Sequence, residues 1–581
     1  MQSLKFERLL VLSDSNKSAN QFQFSQRLNL ITAKDNSVGK STLAKLLFWA
    51  LGCPTALDTT WTNQDTKTIL DFNISDQKYS VKRYKNLMEL KTGNEPPIKF
   101  NKITGEYSEK LTKLLNFKVL LPNKSSGLLE VPPPAYYFLP FYIDQKKSWS
   151  EAWNNFEGLQ QYANWKSTVI KYHVGLLTPA YFELELEKHQ KSSQQSKINE
   201  GIDKINIALE IVEDYIPAVT LSTFNSEKFE KMTQEIKVDL ENLEKTQESL
   251  LRELVLIQGE KSYLVKQKEI SEGIILNLEA DYKFAVEHIP GDELECPLCG
   301  TFHTNTLADR ASIITDVAQA EKQLSSIISD IKKLDQRIDF SQEELRIAVS
   351  QIQNINEKYV TSDEGVGVSY GNIIKRMGGD SLKENVQAEK NLKILEASAI
   401  DGEIKEIKKT QTGLLTSEDK KLITDDFLFI FSKFIDLLGA EAINLSKIQS
   451  PLDYAKIIKE GGAAEGSRAI LAYYLTIYSL VDKYAKEVNA PLVIDTPNQH
   501  EQSSGNYDKI IKILTSEFNQ NSQIILCAMD NPQLSPYAEK ANIITLDKSK
   551  LLSTSHYEQV KILFEDWYIT GKNDTEHELG L

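Results

Sequence analysis

Residues 33–42 read AKDNSVGKST and lie between a strand-like apolar run, LNLIT at 28–32, and a helix-like run, LAKLLFWAL at 43–51. A loop that cradles phosphate needs small residues whose backbone N–H groups can face the phosphate oxygens, a lysine for the β and γ phosphates, and a hydroxyl for Mg²⁺. Lys40 and Ser41 meet the last two needs, although Ala33 replaces the usual first glycine. A chance turn would not explain the flanking strand and helix. We therefore predict a phosphate loop that binds ATP through Ala33, Asn36, Ser37, Val38, Gly39, Lys40, Ser41 and Thr42.

A second part of the same site is predicted far along the chain. NAPLVIDTPNQ at 489–499 reads as a buried strand that ends at Asp495, and a carboxylate at a strand end can hold Mg²⁺. A catalytic glutamate would be expected next, but Thr496 is there. The substitutes for the catalytic base are Gln499, His500 and Glu501, unless these three are ordinary polar loop residues. Because neither part is complete alone, the two ends of the chain must meet in one globular body.

The middle of the chain carries two coiled-coil patterns. Apolar residues recur at a spacing of seven in both stretches, with Glu, Lys, Gln and Ser between them. The recurring residues are Ile236, Leu243, Leu250, Ile257 and Leu264, then Val317, Leu324, Ile331, Ile338, Leu345 and Ile352. Two helices joined by a short turn pair antiparallel, so a hairpin is predicted. Pro217, within 214–226, and the glycines of 359–383 predict a break in each arm.

Composition is that of a soluble protein of several domains. The chain has 581 residues, of which 41% are hydrophobic and 26% charged. It contains no apolar run of the ~18 residues that span a bilayer and no secretory signal pattern at its beginning. We therefore expect a cytoplasmic protein that has no membrane partner.

The net charge of −15 hides an uneven distribution, because residues 1–175 contain 23 Lys and Arg against 15 Asp and Glu. Attraction to phosphate depends on the local field more than on the total charge. This asymmetry predicts binding of double-stranded DNA by the first part of the chain. The candidate residues are Lys82, Arg83, Lys85, Lys99 and Lys102. The alternative is that these side chains merely solvate the surface of a sheet.

The order of these parts resembles the SMC-like ABC ATPases, in particular their zinc-hook branch, represented by the bacterial nuclease subunit SbcC. The resemblance implies an α/β ABC-type ATPase head, a P-loop NTPase, split by a long antiparallel coiled-coil hairpin with a zinc-hook apex. The expected boundaries are 1–178 and 412–581 for the two lobes of the head, 179–290 and 306–411 for the two arms, and 291–305 for the apex.

Further motifs follow from this resemblance. FYIDQKKSW at 141–149 places Gln145 where the family has the glutamine that touches Mg²⁺ and senses the γ-phosphate. GGAAEGSRAILAYYL at 461–475 lies where the signature motif contacts ATP across a dimer, which implies roles for Gly466, Ser467 and Arg468. The chain departs from the family pattern at two places. Ala464 stands where the signature serine is expected, and Met529 and Asp530 stand where the switch histidine is expected. They bear on the rate of hydrolysis more than on nucleotide binding.

The cysteines fit the same picture. The chain has four of them, and Cys296 and Cys299 lie in ECPLCGTFH at 295–303, the turn between the arms. A structural Zn²⁺ takes four ligands, so we expect two hairpin tips to share one ion, with His303 as a less favoured ligand. A redox pair would need a thioredoxin-like βαβ context, which the heptads exclude. Cys53 and Cys527 have apolar surroundings and are predicted in the core.

FYIDQ, GSRAILAYY and IDTPNQ together resemble the SMC-like ATPase subunits of Lamassu-type antiphage and antiplasmid defence systems. This resemblance implies a homodimer joined through heads and hook, with ATP, Mg²⁺ and Zn²⁺ bound. It also implies double-stranded DNA, an effector nuclease and a further small subunit of the same operon as partners. Two alternatives remain open: a structural clamp that binds ATP with little turnover, and an ATPase of DNA double-strand-break repair.

Overall fold

A computed structural model describes residues 2–35, 38–62, 64–215, 234–287, 293–295, 302–304, 307–359, 370–457, 463–497, 502–547 and 551–569. The chain divides into two compact units. Met1–His189 and Ile407–Leu581 form the first, called the α/β unit, and Gln190–Glu406 form the second, called the helical unit. The α/β unit thus combines the two ends of the chain. None of the helices in the described ranges is long and apolar enough to cross a membrane.

Most of the described strands lie toward the two ends of the chain, and the longest helices lie in its middle. The strands are β1 (Leu4–Ser13), β2 (Ser18–Gln23), β3 (Leu28–Ala33), β4 (Lys67–Ile74), β5 (Gln77–Tyr84), β6 (Leu87–Thr92), β7 (Ile98–Phe100), β8 (Leu121–Pro122), β9 (Leu129–Glu130), β10 (Tyr142–Ile143), β11 (Glu293–Glu295), β12 (Phe302–Thr304), β13 (Leu492–Asp495), β14 (Ile524–Met529) and β15 (Asn542–Thr545). The α-helices are α1 (Lys40–Ala50), α2 (Thr59–Thr62), α3 (Glu106–Leu114), α4 (Ala135–Phe138), α5 (Trp165–His173), α6 (Pro179–Tyr215), α7 (Gln234–Glu287), α8 (Leu307–Tyr359), α9 (Tyr370–Gly413), α10 (Ser417–Leu438), α11 (Ala463–Tyr484), α12 (Ser504–Ser516), α13 (Ser535–Ala538) and α14 (Tyr557–Ile569).

A parallel sheet positions the predicted site. Its described strand order is β10-β13-β14-β3-β15. Every residue of β3 and of β13 is buried, because parallel strands covered on both faces carry continuous apolar sequence. The carboxyl ends of parallel strands lie at one edge of the sheet. The phosphate loop after β3 and Asp495 at the end of β13 therefore share that edge.

A second, antiparallel sheet belongs to the α/β unit, with the described order β2-β1-β4-β5-β6-β7. Alternate side chains of β1 point to opposite faces. Leu9 and Val11 belong to the main core together with α1. On the other face, Leu10 and Leu12 belong to a separate cluster that includes residues of α14: Tyr557, Val560, Phe564 and Trp567. One face of this sheet is thus covered by α14.

The helical unit contains the predicted coiled coil. Leu254 and Ile257 of α7 form one cluster with Leu334 and Ile338 of α8. Two ion pairs flank this seam: Lys261 lies 2.5 Å from Asp335, and Glu253 lies 3.4 Å from Arg337. The higher-numbered residue of α7 thus pairs with the lower-numbered residue of α8, and the lower with the higher. The antiparallel pairing of the two heptad stretches is therefore confirmed.

α7 also packs against the helices nearer the ends of this unit. Ile205 of α6, Val255 of α7 and Val386 of α9 form a second apolar cluster. α6 and α9 are joined further along by an ion pair of 2.6 Å between Lys191 and Glu403. The helical unit is consequently a bundle in which α7 has two different sets of neighbours.

The predicted breaks in the arms are matched in part. α6 ends at Tyr215, and residues 216–233, which include Pro217, lie outside the described residues. The predicted break near 359–383 falls partly outside the described residues: α8 ends at Tyr359, residues 360–369 are not described, and α9 begins at Tyr370 and includes Gly378 and Gly379. A glycine inside a helix costs only about 1 kcal/mol, which a helix of this length can absorb.

β11 and β12 lie between α7 and α8 and pair antiparallel, with Leu294 opposite His303. Cys296 and Cys299, which fall between these strands in sequence, lie outside the described residues. The predicted zinc hook therefore stays a prediction.

Candidate nucleotide site

The phosphate loop leads from β3 into α1. Ala33 is buried at the end of β3, and Gly39 precedes α1 with a φ of +106°, in the left-handed region that favours glycine. A side chain at this position would also meet Leu551, since a Cβ would lie 3.2 Å from the Cβ of Leu551. Asn36 and Ser37 lie outside the described residues. Glycine is thus required at position 39 by both backbone and space.

Three oxygen-bearing side chains converge beside the start of α1. The hydroxyl oxygen of Ser41 lies 2.9 Å from Oε1 of Gln145 and 3.0 Å from Oδ1 of Asp495. These residues come from α1, from the turn after β10 and from the end of β13. The structure therefore brings together the three side chains that the sequence assigned to Mg²⁺.

Asp495 is the most deeply buried member of this group, with no exposed surface. Burial raises its pKa to about 6, although hydrogen bonds from Ser41 and Thr496 oppose the shift. Its second oxygen, Oδ2, is buried and has no hydrogen-bond partner within the described part of the chain. A buried carboxylate oxygen left in this state is suited to a cation, and Mg²⁺ prefers oxygen ligands.

Thr496 occupies the position where a catalytic glutamate was expected. Its φ of +56° is unusual for a β-branched residue, and its N–H donates to the carbonyl of Cys527 at 2.9 Å. Its hydroxyl donates to Oδ1 of Asp495 at 3.1 Å. The carbonyl of Asp495 accepts a bond of 3.1 Å from the indole N–H of Trp149. The end of β13 is thus fixed by bonds on both sides, and Gln499, His500 and Glu501 lie outside the described residues.

A cavity of about 1380 Å³ opens beside these residues. Lys40 lies at this cavity, and its ammonium donates to the carbonyl of Asp35 at 3.1 Å. Burial lowers the pKa of Lys40, while the nearby Asp495 and Asp35 act in the other direction. The remaining described loop residues also line the cavity: Val38, Gly39, Ser41 and Thr42. Met529, which replaces the switch histidine, lines it as well.

The predicted signature residues differ in their surroundings. A Cβ at Gly466 would meet no atom within 4 Å, and Ser467 is buried. Arg468 is 7% exposed, and its guanidinium donates to the carbonyl of Gly439 at 2.8 Å and to the side chain of Gln502. These bonds join α11 to Gly439, which follows α10, and to Gln502, which precedes α12. The assignment of Arg468 to ATP across a dimer stays a prediction.

The predicted DNA-binding residues fall into two groups, those with internal contacts and those that are exposed. Arg83 is buried, and its guanidinium donates to the carbonyls of Trp49 and Cys53. The ammonium of Lys82 lies beneath α14, where it donates to the hydroxyl of Tyr568 at 2.8 Å and lies 4.1 Å from the ring centroid. The assignment of these two residues to DNA is corrected, since both serve internal contacts. Lys85, Lys99 and Lys102 are exposed, and their assignment stays a prediction.

Cys53 and Cys527 are buried as free thiols, as predicted. No cluster of three or more His, Cys, Asp or Glu side chains suited to a metal occurs in the ranges that the structure describes.

Two residues of the site escaped the sequence-based prediction. Asp144 follows β10 immediately before Gln145, and Lys45 lies four residues after Ser41 on α1. Both are buried, and the ammonium of Lys45 lies 3.9 Å from Oδ1 of Asp144. The available signals were an acidic residue inside FYIDQ and a lysine within the apolar helix that follows the loop.

No family model matches the chain. Over 585 residues it is 24% identical to the Lamassu protein LmuB of Bacillus cereus (strain VD014), covering 98% of each chain. A second LmuB, from Bacillus sp. (strain NIO-1130), is 23% identical over 583 residues, covering 96% of this chain and 98% of the relative. The chain is related to LmuB. The predicted resemblance to the SMC-like ABC ATPases of Lamassu systems is thereby confirmed.

Solved structures with similar elements include the Smc head domain with a coiled coil and joint from Pyrococcus yayanosii. It is 13% identical, with a TM-score of 0.40, and the alignment covers 97% of this chain and 100% of that one. The recombination mediator protein RecF with ATP is 10% identical, with a TM-score of 0.27, covering 91% and 93%. The description of the site in this chain rests on its own contacts.

Proposed function

We propose that the chain is the ATPase of a Lamassu-type defence system, in which ATP drives two copies together on DNA and so controls a partner effector nuclease. The main support for the proposal is the convergence of the Ser41, Gln145 and Asp495 side chains. Ser41 and Gln145 line the same cavity as Lys40. The relationship to LmuB supports the defence context.

The residues present fit Mg²⁺ and ATP. Ser41, Gln145 and Asp495 supply a hydroxyl, an amide oxygen and a carboxylate, and the unpartnered Oδ2 of Asp495 is available to a cation. Lys40 and the backbone of the phosphate loop would hold the phosphates. When bound, ATP would supply the phosphoanhydride bond that is broken, and Mg²⁺ would neutralise part of the negative charge of the phosphates.

The chain's own residues favour slow turnover. The hydroxyl of Thr496 donates to Asp495 and is not a base of the strength that a carboxylate would supply. The base that takes a proton from the attacking water must then come from elsewhere, and Gln499, His500 and Glu501 remain the candidates. Trp149 and Ser41 keep Asp495 in place throughout.

Pairing of two copies would depend on the third phosphate. The γ-phosphate can lie between Lys40 of one copy and the region around Gly466 of a second copy, where the absence of a side chain leaves open space. Only the triphosphate makes both sets of contacts, so ATP stabilises the paired state and its hydrolysis releases it.

DNA binding is assigned to the exposed lysines Lys85, Lys99 and Lys102. Contacts of this kind reach the phosphate backbone, so the affinity is sensitive to salt and largely independent of sequence. The complex acts in the cytoplasm with an effector nuclease and a small subunit of the same operon.

Phosphate release measured with and without linear double-stranded DNA tests the proposal. We expect the wild-type chain to exceed Lys40→Ala, and DNA to increase the difference. The matched control is Lys433→Met, because Lys433 pairs with Glu517 at 2.7 Å outside the cavity and should leave the rate unchanged. Failure of the wild-type chain to bind ATP or to exceed Lys40→Ala would contradict the ATPase.

Thr496 also favours a second candidate, an ATP-binding clamp with little turnover. The same experiment separates the two functions. A clamp binds ATP as tightly as the proposed ATPase, but its phosphate release equals that of Lys40→Ala in both conditions.

A further inference from the structure

The turn that carries Gln145 is built on a second buried carboxylate. Asp144 is 6% exposed and follows β10, in which Ile143 pairs with Ile494 of β13 in parallel register. Asp144 and Asp495 therefore end neighbouring strands at the same edge of the sheet. Two buried charges of the same sign on neighbouring strands are unfavourable unless each has partners of its own.

Asp144 uses its partners to shape the turn. Its Oδ2 accepts the N–H groups of Lys146 at 2.9 Å and Lys147 at 3.1 Å, and its own N–H donates to the hydroxyl of Ser148 at 2.9 Å. An aspartate that accepts from the N–H two residues later forms an Asx-turn. Gln145 lies inside this turn, so its backbone is fixed from both sides.

Lys45 connects the turn to the helix of the phosphate loop. It lies on the same face of α1 as Ser41, and its side chain is 11% exposed. Its ammonium donates to the carbonyl of Ala56 at 2.8 Å and lies 3.9 Å from Oδ1 of Asp144. One lysine thus links the element that carries Ser41 to the turn that carries Gln145.

We propose that Asp144 and Lys45 are positioning residues of the nucleotide site, which hold Gln145 where its amide oxygen, Ser41 and Asp495 can receive one Mg²⁺ together. This inference rests on the proposed function. Both residues act through Gln145, so their loss weakens the Mg²⁺-dependent part of nucleotide binding. The affinity for nucleotide without metal depends on the phosphate loop and is left in place.

Binding of a fluorescent ATP analogue to the full-length chain tests this inference, in EDTA and across a Mg²⁺ titration. Asp144→Ala and Lys45→Met are expected to raise the Mg²⁺ concentration for half-saturation about 10- to 100-fold, which is the usual effect of losing a partner behind a metal ligand. Their affinity in EDTA should stay within about twofold of wild type. Asp144→Asn keeps an acceptor for the turn but loses the charge, so it should fall between these variants and wild type. Lys433→Met is the control.

Wild-type Mg²⁺ dependence in both Asp144→Ala and Lys45→Met would overturn the inference. Equal weakening in EDTA and in Mg²⁺ would also overturn it, because it would assign the two residues to the nucleotide or to general folding. If Asp144→Ala does not fold, Lys45→Met and Asp144→Asn decide by the same criteria. A wild-type chain that binds no nucleotide contradicts the proposed function itself, and this result is recognised without any variant.

Discussion

His173 and Glu487 contact each other inside the α/β unit, where neither side chain has exposed surface. Nδ1 of His173 contacts Oε1 of Glu487, and Nε2 lies 3.3 Å from the carbonyl of Tyr136. The rings of Phe117 and Trp153 stack on the imidazole. A buried polar side chain in such surroundings depends on its hydrogen-bond partner.

Glu487→Ala is expected to reduce the free energy of unfolding by about 1–3 kcal/mol, because it leaves the buried imidazole without its hydrogen-bond partner. Thermal or denaturant unfolding of the full chain measures the effect. Lys433→Met is the matched control, since it breaks an exposed pair and should change the free energy by less than about 1 kcal/mol. Equal effects of the two substitutions would show that the buried pair stabilises the fold no more than the exposed pair does.

Sequence reasoning found the residues whose role follows from local order. Lys40 and Ser41 follow an apolar strand, and Asp495 ends another, so each could be placed before any contact was known. Arg83 was misassigned because a positive charge in the sequence does not reveal its partner in the fold. Asp144 was missed because its role depends on hydrogen bonds from backbone N–H groups in the turn that follows it. Backbone groups leave no signal in the sequence.

At the scale of elements, α10 and α11 are joined by one carboxylate. Asp426 of α10 accepts hydrogen bonds from the ammonium of Lys483 and the hydroxyl of Tyr484, both on α11. The bond from Lys483, followed by that from Tyr484, lowers the pKa of Asp426 below its ordinary value of 3.8. The ionised form therefore stabilises the packing of the two helices.

Asp426→Asn is expected to cost about 1 kcal/mol or less at pH 7, because the pair is partly exposed. A depressed pKa gives stability that is complete above the unfolded value and is lost as the pH falls through the folded one. The difference between wild type and variant should accordingly shrink below about pH 4. Unfolding midpoints measured from pH 7 down to pH 3 check this, and a constant difference would contradict it.

The seam between α7 and α8 offers a test with a control on the same helix. Leu254 is 1% exposed in the seam, whereas Leu256 is 51% exposed. Leu254→Ala should lower the local free energy of unfolding by about 2–4 kcal/mol, and Leu256→Ala by less than about 0.5 kcal/mol. Amide hydrogen exchange of α7 and α8 measures both. Similar loss of protection in the two variants would argue against the seam.

The coiled coil was predictable because a repeat of seven over many turns is a strong signal. Glycine was a weaker signal, since Gly378 and Gly379 lie inside α9 and not in a break. The packing of α7 against α6 and α9 could not be predicted. An apolar residue such as Val255 indicates that its side chain is buried, but it does not indicate which helix covers it.

At the scale of the molecule, the two ends of the chain form one unit, as the incomplete site in each end required. The cover that α14 provides over the antiparallel sheet was not predicted. Its apolar residues, Val560, Phe564 and Trp567, follow one another with helical spacing, but nothing in that pattern names the sheet as the surface they cover.

The hook is a prediction for the whole assembly, since Cys296 and Cys299 lie outside the described residues. Two chains sharing one ion should contain one Zn²⁺ per pair, because each chain supplies two of four ligands. Elemental analysis of the purified protein, beside a Cys296→Ser and Cys299→Ser double variant, checks the ratio. One Zn²⁺ per chain, or the same content in the double variant, would contradict the shared site.

The proposed ATPase depends on Ser41 and Asp495, from opposite ends of the chain, holding one Mg²⁺ together. A double-mutant cycle of Ser41→Ala and Asp495→Asn on the affinity for ATP in the presence of Mg²⁺ measures whether they do. We predict that the two effects are coupled by about 0.5–3 kcal/mol, and that the coupling disappears in EDTA. Effects that simply add in Mg²⁺ would show that the two side chains do not share an ion.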